Sequence, residues 1–363
     1  MAVGALSNNL NLVGASLSDG WKIVEEFPRP GTAGATDLTG GYFSIGCIAE
    51  RVNGTRQERA FVKVFDLAMA TNLFPDDFMK GMKLVTDAYS SECSILKVCK
   101  DAKLDRVVQI LDLGQLPATT LRTLPTPYII FENADGDLRK LVSRSSNFEV
   151  AWKLRVLHDV AVGLQQLHRK KIAHQDLKPS NVLIFDTEGE GAKIGDLGRA
   201  SHQGQPAPHD PEVIAGARAY APPEQAFGIT PERWEDQREG CDLYHLGSLA
   251  AFLFSGRLPN DFFRANLDKT ILPIIWGGEG KGSYALALPF LNAELTKFVQ
   301  EIAVDFPEWG SEELKQIILN ACNQDYKKRG DPAARARVGA PLGIETFVSR
   351  FDRLARRALV KIS

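Results

Sequence analysis

The chain has 363 residues, of which 44% are hydrophobic and 24% charged, and its formal net charge is −2. This is the composition of a soluble globular protein long enough for one large domain or two lobes. The near-neutral charge gives no reason to expect binding to nucleic acid or to a membrane.

No targeting or disulfide pattern is evident. The first twenty residues contain no Lys or Arg, so they do not resemble a secretory signal, and the longest apolar run, 246–254, is too short to span a bilayer. The five cysteines are widely spaced without a CxxC pair. Because this pattern favours free thiols in a reducing compartment, we expect a cytoplasmic protein.

The predicted elements divide the chain into a strand-rich front and a helical back. Residues 1–20 are predicted to form a tail. Strand-like segments then dominate from Trp21 to about Phe131, with Asn53-Gly54 marking a hairpin turn and one helix near residues 87–99. Apolar residues at helical spacing follow from Leu157 to Leu167, and further helices are expected near 241–255, 292–304 and 311–322. The sequence therefore predicts an α+β fold with an N-lobe at 21–134, a C-lobe at 135–350 and a short basic C-terminal segment at 351–363.

The stretch IAHQDLKPSNVLIF, 172–185, places three strongly polar side chains on a short loop between apolar ends. Taken singly, Asp176 and Asn181 are typical turn residues, and His174 is more typical of a packed histidine that orders its loop. Buried flanks fix a loop in place, so its polar groups are held close together. This is the arrangement expected of a site.

Seven motifs in order resemble those of the eukaryotic-like serine/threonine protein kinases and cover about residues 21–350. HQDLKPSN resembles the catalytic loop H-R-D-L-K-x-x-N, and Asp196-Leu197-Gly198 resembles D-F-G. The other five segments are AFVKVF (V-A-I-K), SECSILKVC (the glutamate-bearing helix), AYAPPE (A-P-E, with Glu224), CDLYHLG (D-x-W-S-L-G, with Asp242) and DYKKR (with Arg329, expected to pair with Glu224). The resemblance implies a bilobal protein-kinase fold with a β-rich N-lobe and a helical C-lobe.

The resemblance also implies catalytic and metal-binding roles, with ATP and Mg²⁺ as cofactors. Asp176 would orient the attacking hydroxyl and Lys178 would stabilise the γ-phosphate. Lys63, held by Glu92, would bind the α- and β-phosphates, although a strand lysine or a helix glutamate taken alone is more often a surface charge. Two further residues, Asn181 and Asp196, would bind Mg²⁺.

The nucleotide site matches the family less well, because the chain contains no GxGxxG. The best register, LTGGYFS, supplies Gly40 and Gly41 for the phosphates and Phe43 as the tip of the flap, after an insertion near 28–37 that we interpret as a surface loop. Phe61 takes the place of a small residue and Gly46 that of valine, so we expect Phe61 to stack on adenine in the space that Gly46 leaves. The remaining predicted contacts are Leu183 as the floor and the backbone of Glu132–Ala134 at the edge of the base.

Two further departures concern activation. Gln175 replaces an arginine that binds an activation-segment phosphate in many relatives, and Ala217 replaces a threonine that contacts the catalytic aspartate and lysine. The segment 199–220 contains only Ser201 and Tyr220 as hydroxyl residues. We therefore expect activity that does not require phosphorylation of this segment.

Three functions fit the motifs. The first is an MgATP-dependent serine/threonine protein kinase acting on a protein substrate, and Lys178 favours it over a tyrosine kinase. The second is a pseudokinase that acts as a binding module, which Ala217 and the missing glycines would favour. The third, a small-molecule phosphotransferase, fits less well because it would lack the A-P-E segment and the Lys178 position. A regulatory protein partner is also possible.

Overall fold

The computed structural model describes residues 12–27, 44–67, 74, 76–118, 125–144, 149–187, 189–339 and 341–362. The chain divides into two compact units, one formed by Met1–Asp101 and Val108–Ala134 and the other by Ala102–Val107 and Asp135–Ser363. A strand-rich first unit and a helical second unit confirm the predicted α+β class. The limits predicted for the domains stay predictions.

The first unit is built on an antiparallel sheet. Among its described residues, five strands pair in the order β1-β2-β3-β5-β4. The predicted hairpin is confirmed, since Asn53 pairs with Arg56 and Gly54 adopts a φ of 63°, which favours glycine. The strands are β1 (Lys22–Glu26), β2 (Ser44–Asn53), β3 (Arg56–Phe65), β4 (Ile110–Leu116) and β5 (Thr126–Glu132), and the helix α1 spans Phe78–Asp101.

Strand alternation decides which side chains of β3 are available for function. Val62 and Val64 are fully buried in an apolar cluster that also contains Trp21, Ile23 and Ile130. Since successive side chains of a strand point to opposite faces, Phe61 and Lys63 lie on the other face. The sheet therefore buries one row of β3, and from the other row Lys63 reaches Glu92 on α1.

The segment predicted as an N-terminal tail is described from residue 12 onward. Leu12 is fully buried in the same cluster, and the backbone N–H of Ser18 donates to Tyr128 Oη at 2.9 Å. These residues pack on the sheet instead of extending from it, because a leucine here finds an apolar cluster to cover.

The second unit is helical around a large apolar core. The predicted stripe of Leu157, Val160, Ala161, Leu164 and Leu167 is confirmed, and each of these side chains is fully buried. The helices are α2 (Leu138–Arg144), α3 (Val150–Arg169), α4 (Pro223–Ala226), α5 (Gly240–Ser255), α6 (Pro259–Asn266), α7 (Tyr284–Ile302), α8 (Ser311–Ala321), α9 (Pro332–Arg335) and α10 (Ile344–Ile362). The short strands are β6 (Gly136–Asp137), β7 (Ile172–Ala173), β8 (Val182–Phe185), β9 (Gly191–Ile194) and β10 (Ser201–His202).

Helix α10 crosses the boundary predicted at residue 350. Phe347, Phe351 and Leu354 are at most 1% exposed and belong to the core of the second unit. The basic residues that suggested a separate segment lie on the same helix as this apolar stripe. In the described part of the chain, no helix has the length and apolar character needed to cross a membrane.

Candidate active site

The loop between β7 and β8 is held by its buried ends and by α5. Ile172, Ala173 and Val182 are fully buried. The carboxylate of Asp242, on α5, accepts the backbone N–H groups of His174 at 2.8 Å and of Gln175 at 2.6 Å. Because both ends and the start of the loop are fixed, Asp176 follows in a defined position.

Asp242 is itself kept charged by a histidine that sequence reasoning missed. His168, at the end of α3, lies 2.9 Å from the Asp242 carboxylate, and both side chains are buried. Burial would raise the pKa of Asp242, but the hydrogen bond from His168 and its positive charge hold this pKa below its usual value. Burial likewise opposes the charge on His168, and Asp242 raises its pKa in spite of it. The ion pair of His168 and Asp242 thus supports the start of the loop between β7 and β8.

Asp176 accepts hydrogen bonds from three directions. Lys178 Nζ lies 2.8 Å from Oδ2 and Asn181 Nδ2 lies 3.2 Å from the same oxygen, while the backbone N–H of Ala217 donates to Oδ1 at 2.8 Å. The residue is only 3% exposed. These contacts fix the orientation of the carboxylate. The structure thus brings together the predicted residues Asp176, Lys178 and Asn181.

Ala217 and its neighbour Gly216 explain how the segment approaches Asp176 without a threonine hydroxyl. A Cβ atom on Gly216 would lie 2.3 Å from the carbonyl oxygen of Gln175 and 2.8 Å from Asp176 Oδ1. Only glycine permits this approach. A backbone N–H group then reaches the carboxylate directly.

The two predicted metal ligands carry the oxygen donors that Mg²⁺ prefers. The amide nitrogen of Asn181 donates to the carbonyl oxygen of Asp176 at 2.8 Å, and its Oδ1, which accepts from Ser180 Oγ at 3.3 Å, is the atom that could bind a cation. Asp196 follows Gly195, whose N–H donates to the carbonyl oxygen of Asn181 at 2.9 Å and whose carbonyl oxygen lies 3.0 Å from His174 Nε2. An amide oxygen and a carboxylate on two linked segments fit an ion that completes its shell with phosphate and water.

In the first unit, the lysine and the glutamate predicted to pair are in contact. Lys63 Nζ, on β3, lies 2.9 and 2.8 Å from the two carboxylate oxygens of Glu92, on α1. Lys63 is 8% exposed and Glu92 is 2% exposed. A buried ammonium is stable only with such a partner.

Gly46 lies against Phe61, as the expected register requires. Gly46 pairs with Lys63 across β2 and β3, and a Cβ atom built on it would lie 3.1 Å from Phe61 Cε2 and 3.2 Å from Phe27 Cδ2. The rings of Phe27 and Phe61 stack with centroids 6.3 Å apart, and the Phe131 ring lies tilted against Phe61 at the same centroid distance. The contact from Phe27 was not expected from the sequence.

The other predicted nucleotide contacts are distributed over the chain. Gly40, Gly41 and Phe43, and the insertion near 28–37, lie outside the described residues. Glu132, at the end of β5, exchanges backbone and side-chain hydrogen bonds with Gln109, and Ala134 is the last residue of the first unit. Leu183 lies on β8 in the second unit.

Comparison with known proteins identifies the family. The model described as protein kinase domain matches residues 46–336, which is most of the chain. The chain belongs to the protein kinase domain family. The matched range contains the predicted catalytic and metal-binding residues from Lys63 to Asp196, and it begins after Gly40, Gly41 and Phe43.

Curated relatives of this kinase domain carry serine/threonine-kinase or kinase names. Aurora/IPL1-related protein kinase 2 of Caenorhabditis elegans is 31% identical over 134 residues, which cover 36% of this chain and 40% of that protein. Serine/threonine-protein kinase Pkn1 of Myxococcus xanthus is 33% identical over 159 residues, covering 43% of this chain and 21% of that protein. Probable serine/threonine-protein kinase PknB of Corynebacterium glutamicum is 31% identical over 144 residues, covering 39% and 22%. The chain thus spans less than half the length of each of these relatives.

The kinase domain also contains the ion pair expected at the A-P-E motif. Arg329 Nη1 and Nη2 lie 2.6 and 2.7 Å from the two carboxylate oxygens of Glu224, and both residues are at most 1% exposed. Although burial opposes the guanidinium charge, Glu224 raises the pKa of Arg329 above its usual value. This bidentate pair anchors the end of the segment whose other contacts reach Asp176.

Proposed function

We propose that this protein kinase transfers the γ-phosphate of ATP, bound as its Mg²⁺ complex, to serine or threonine hydroxyls of a protein substrate. The observation that carries the proposal is the set of hydrogen bonds on Asp176, with Lys178 Nζ 2.8 Å away. A lysine two residues after the aspartate favours serine/threonine over tyrosine specificity within the resemblance. The cytoplasm is the compartment that we propose, supported by five cysteines that are all buried free thiols.

The chemical step follows from these groups. Asp176 orients the substrate hydroxyl and accepts its proton, while the hydroxyl oxygen bonds to the γ-phosphorus and the bond to the β–γ bridging oxygen breaks to release ADP. Lys178 neutralises charge on the transferred phosphoryl group, and Lys63 positions the α- and β-phosphates. Asn181 and Asp196 would hold Mg²⁺, which supplies neutralisation of phosphate charge.

Phosphorylation of the activation segment, 199–220, is not part of the proposed cycle. Ser201 is 2% exposed, and its hydroxyl contacts Gln175 Nε2 at 2.7 Å and His209 Nε2 at 3.0 Å. Gln175 offers no guanidinium to bind a phosphate. We therefore expect protein treated with a phosphatase to keep its rate, and a large loss that returns when Ser201 or Tyr220 is phosphorylated would contradict this.

The experiment that tests the function is transfer of labelled phosphate from MgATP to the protein itself and to a panel of protein substrates. The wild type should label serine or threonine, whereas Asp176→Asn and Lys63→Met should lose nearly all activity while keeping a cooperative unfolding transition. Near-wild-type activity of Lys63→Met would remove the role assigned to Lys63. Binding of MgATP without any transfer by the wild type would favour the pseudokinase.

A further inference from the structure

The side chain of Gln175 in the catalytic loop is hydrogen-bonded to residues outside the HQDLKPSN motif. It is 1% exposed and has a φ of 61°, in the left-handed region that is uncommon for a residue with a side chain. Its amide nitrogen donates to Ser201 Oγ at 2.7 Å and to the carbonyl oxygen of Arg199 at 3.1 Å. Both acceptors belong to the start of the activation segment, so the residue before Asp176 is bonded to that segment.

The oxygen of the same amide accepts from Arg238. This arginine lies in a single turn of π-helix, Glu235–Glu239, directly before α5, and such turns are frequent at functional sites. Its other terminal nitrogen lies 2.8 Å from the carboxylate of Asp210, and only 12% of the Arg238 side chain is exposed. One guanidinium therefore bridges the catalytic loop and the middle of the activation segment.

The hydrogen-bond directions in this network are mutually consistent. Gln175 donates two hydrogen bonds, and the Ser201 hydroxyl can then donate one to His209 Nε2 at 3.0 Å, which requires a neutral imidazole. Burial, together with the nearby charges of Arg199 and Arg238, lowers the pKa of His209 to about 4, and Asp210 opposes this only in part. The imidazole is thus neutral at neutral pH, and its Nε2 can accept this hydrogen bond when Nδ1 carries the proton.

We propose that Arg238 is a positioning residue for phosphotransfer, which binds Gln175 and Asp210 together and thereby holds the activation segment against the catalytic loop. The proposal rests on the proposed function. Many relatives carry an arginine at the position of Gln175, and it binds a phosphate on the activation segment. In this chain, we infer, Arg238 supplies that cation and the carboxylate of Asp210 takes the place of the phosphate. A second carboxylate, Glu212, lies 2.6 Å from Arg199 in the same segment.

The hydrogen bonds among Gln175, Arg238 and Asp210 lie next to the catalytic aspartate. Gln175 is joined by a peptide bond to Asp176, whose Oδ1 accepts from Ala217 near the far end of the segment. The segment is therefore bonded directly to the catalytic loop at its start and near its end, and at its middle Arg238 bridges Asp210 to Gln175, whose amide nitrogen also lies 3.3 Å from His209 Nε2. Loss of the middle contact should disturb the aspartate without touching the ATP contacts of Lys63.

The test compares Arg238→Met, Arg238→Lys and Asp210→Asn with the wild type in two assays. In the first, we expect kcat to fall by about 10- to 100-fold in Arg238→Met, because displacing a catalytic group by about 1 Å can cost on the order of 100-fold. The KM for ATP should stay within about twofold, since the change affects positioning and not nucleotide binding. Arg238→Lys should recover part of the rate, because an ammonium can serve one partner but not bridge both.

The second assay is backbone hydrogen exchange of residues 199–217, which reports on the segment even when no phosphate is transferred. Exchange should rise in Arg238→Met and in Asp210→Asn, and the double variant should be no worse than either because the two act through one contact. The matched control is Arg356→Met, which removes a surface ion pair with Asp352 on α10 and should change neither readout.

Each outcome decides the proposal. Unchanged exchange in Arg238→Met overturns it, and so does raised exchange with an unchanged kcat. A loss confined to the KM for ATP would also overturn it. If the wild type transfers no phosphate, the proposed function falls and the role in phosphotransfer falls with it, while the exchange data still show whether Arg238 holds the segment.

Discussion

Substitution of Gly46 tests whether Phe61 carries the nucleotide base. A Cβ atom on this residue would lie 3.1–3.2 Å from the rings of Phe61 and Phe27, whereas carbon atoms at optimal contact are about 3.5–4.0 Å apart. Gly46→Ala therefore requires the rings to shift by a few tenths of an ångström, and Gly46→Val, with two further methyl groups, requires more. Overpacking of this kind costs about 1–3 kcal/mol.

If Phe61 stacks on adenine, part or all of this cost appears in nucleotide binding. Since 1.4 kcal/mol corresponds to a tenfold change in Kd, Gly46→Val should weaken MgATP binding by about 5- to 150-fold, with Gly46→Ala between it and the wild type. Combining Gly46→Val with Phe61→Ala should restore some affinity because the ring that is crowded has been removed.

Isothermal titration calorimetry with MgATP measures these affinities, and thermal unfolding of each variant separates lost binding from lost folding. Unchanged affinity in Gly46→Val would refute the contact between Phe61 and the base. A wild type that binds no nucleotide, together with binding by Phe61→Ala alone, would mean that the ring blocks the site. The pseudokinase would then replace the kinase as the proposed function.

Three further predictions concern the second unit. Gly216→Ala should lower kcat by at least about tenfold with little change in the KM for ATP, measured by steady-state kinetics, because its Cβ would push the segment away from Asp176. Arg329→Met should lower the free energy of unfolding in urea by about 3–5 kcal/mol, because it leaves the buried carboxylate of Glu224 without its cation, and a loss below about 1 kcal/mol would contradict this. His209, with a pKa of about 4, stays neutral in the folded protein, whereas in the unfolded chain it takes up a proton below about pH 6.5. The free energy of unfolding should therefore fall as the pH drops from 6.5 to 4, and His209 should account for at most about 3 kcal/mol of this fall. In denaturation measured over this pH range, the stability of His209→Gln should fall less than that of the wild type. An identical fall would refute a lowered pKa of His209 in the folded protein.

Local patterns predicted the elements that carry the site where one period dominates, and they missed the start of α1. The stripe of α3 and the alternation of β3 were readable because burial imposes a fixed period on each. In α10, Phe347, Phe351 and Leu354 also follow a helical period, and the helix runs past residue 350, while the predicted basic segment at 351–363 stays a prediction. Helix α1 begins at Phe78, not near Asp87, because its first turns are mostly exposed and contain little apolar periodicity.

The site was predictable only as far as its motifs extend. Lys63 and Glu92 could be paired from the resemblance, and their contact is observed. Arg238 and Asp210 could not, because 28 positions separate them and neither belongs to a motif. Side-chain contacts of this kind depend on how the activation segment folds, which no local periodicity encodes.

The departures from the family pattern bear on the choice between a catalyst and a binding module. Ala217 lacks the threonine hydroxyl, and its backbone N–H donates to Asp176 Oδ1 instead. The preceding residue, Gly216, allows this approach because a Cβ atom there would collide with the catalytic loop. At Gln175 a cation is missing, and the guanidinium of Arg238 lies against its amide oxygen. Both substitutions thus keep Asp176 and its loop supplied with hydrogen bonds. A module that only binds partners through its surface gains nothing from a buried carboxylate oriented by Lys178, Asn181 and Ala217, since burying and orienting a charge is costly. That cost is understandable where the carboxylate must meet a substrate hydroxyl in one geometry, which is the reason to test phosphotransfer before partner binding.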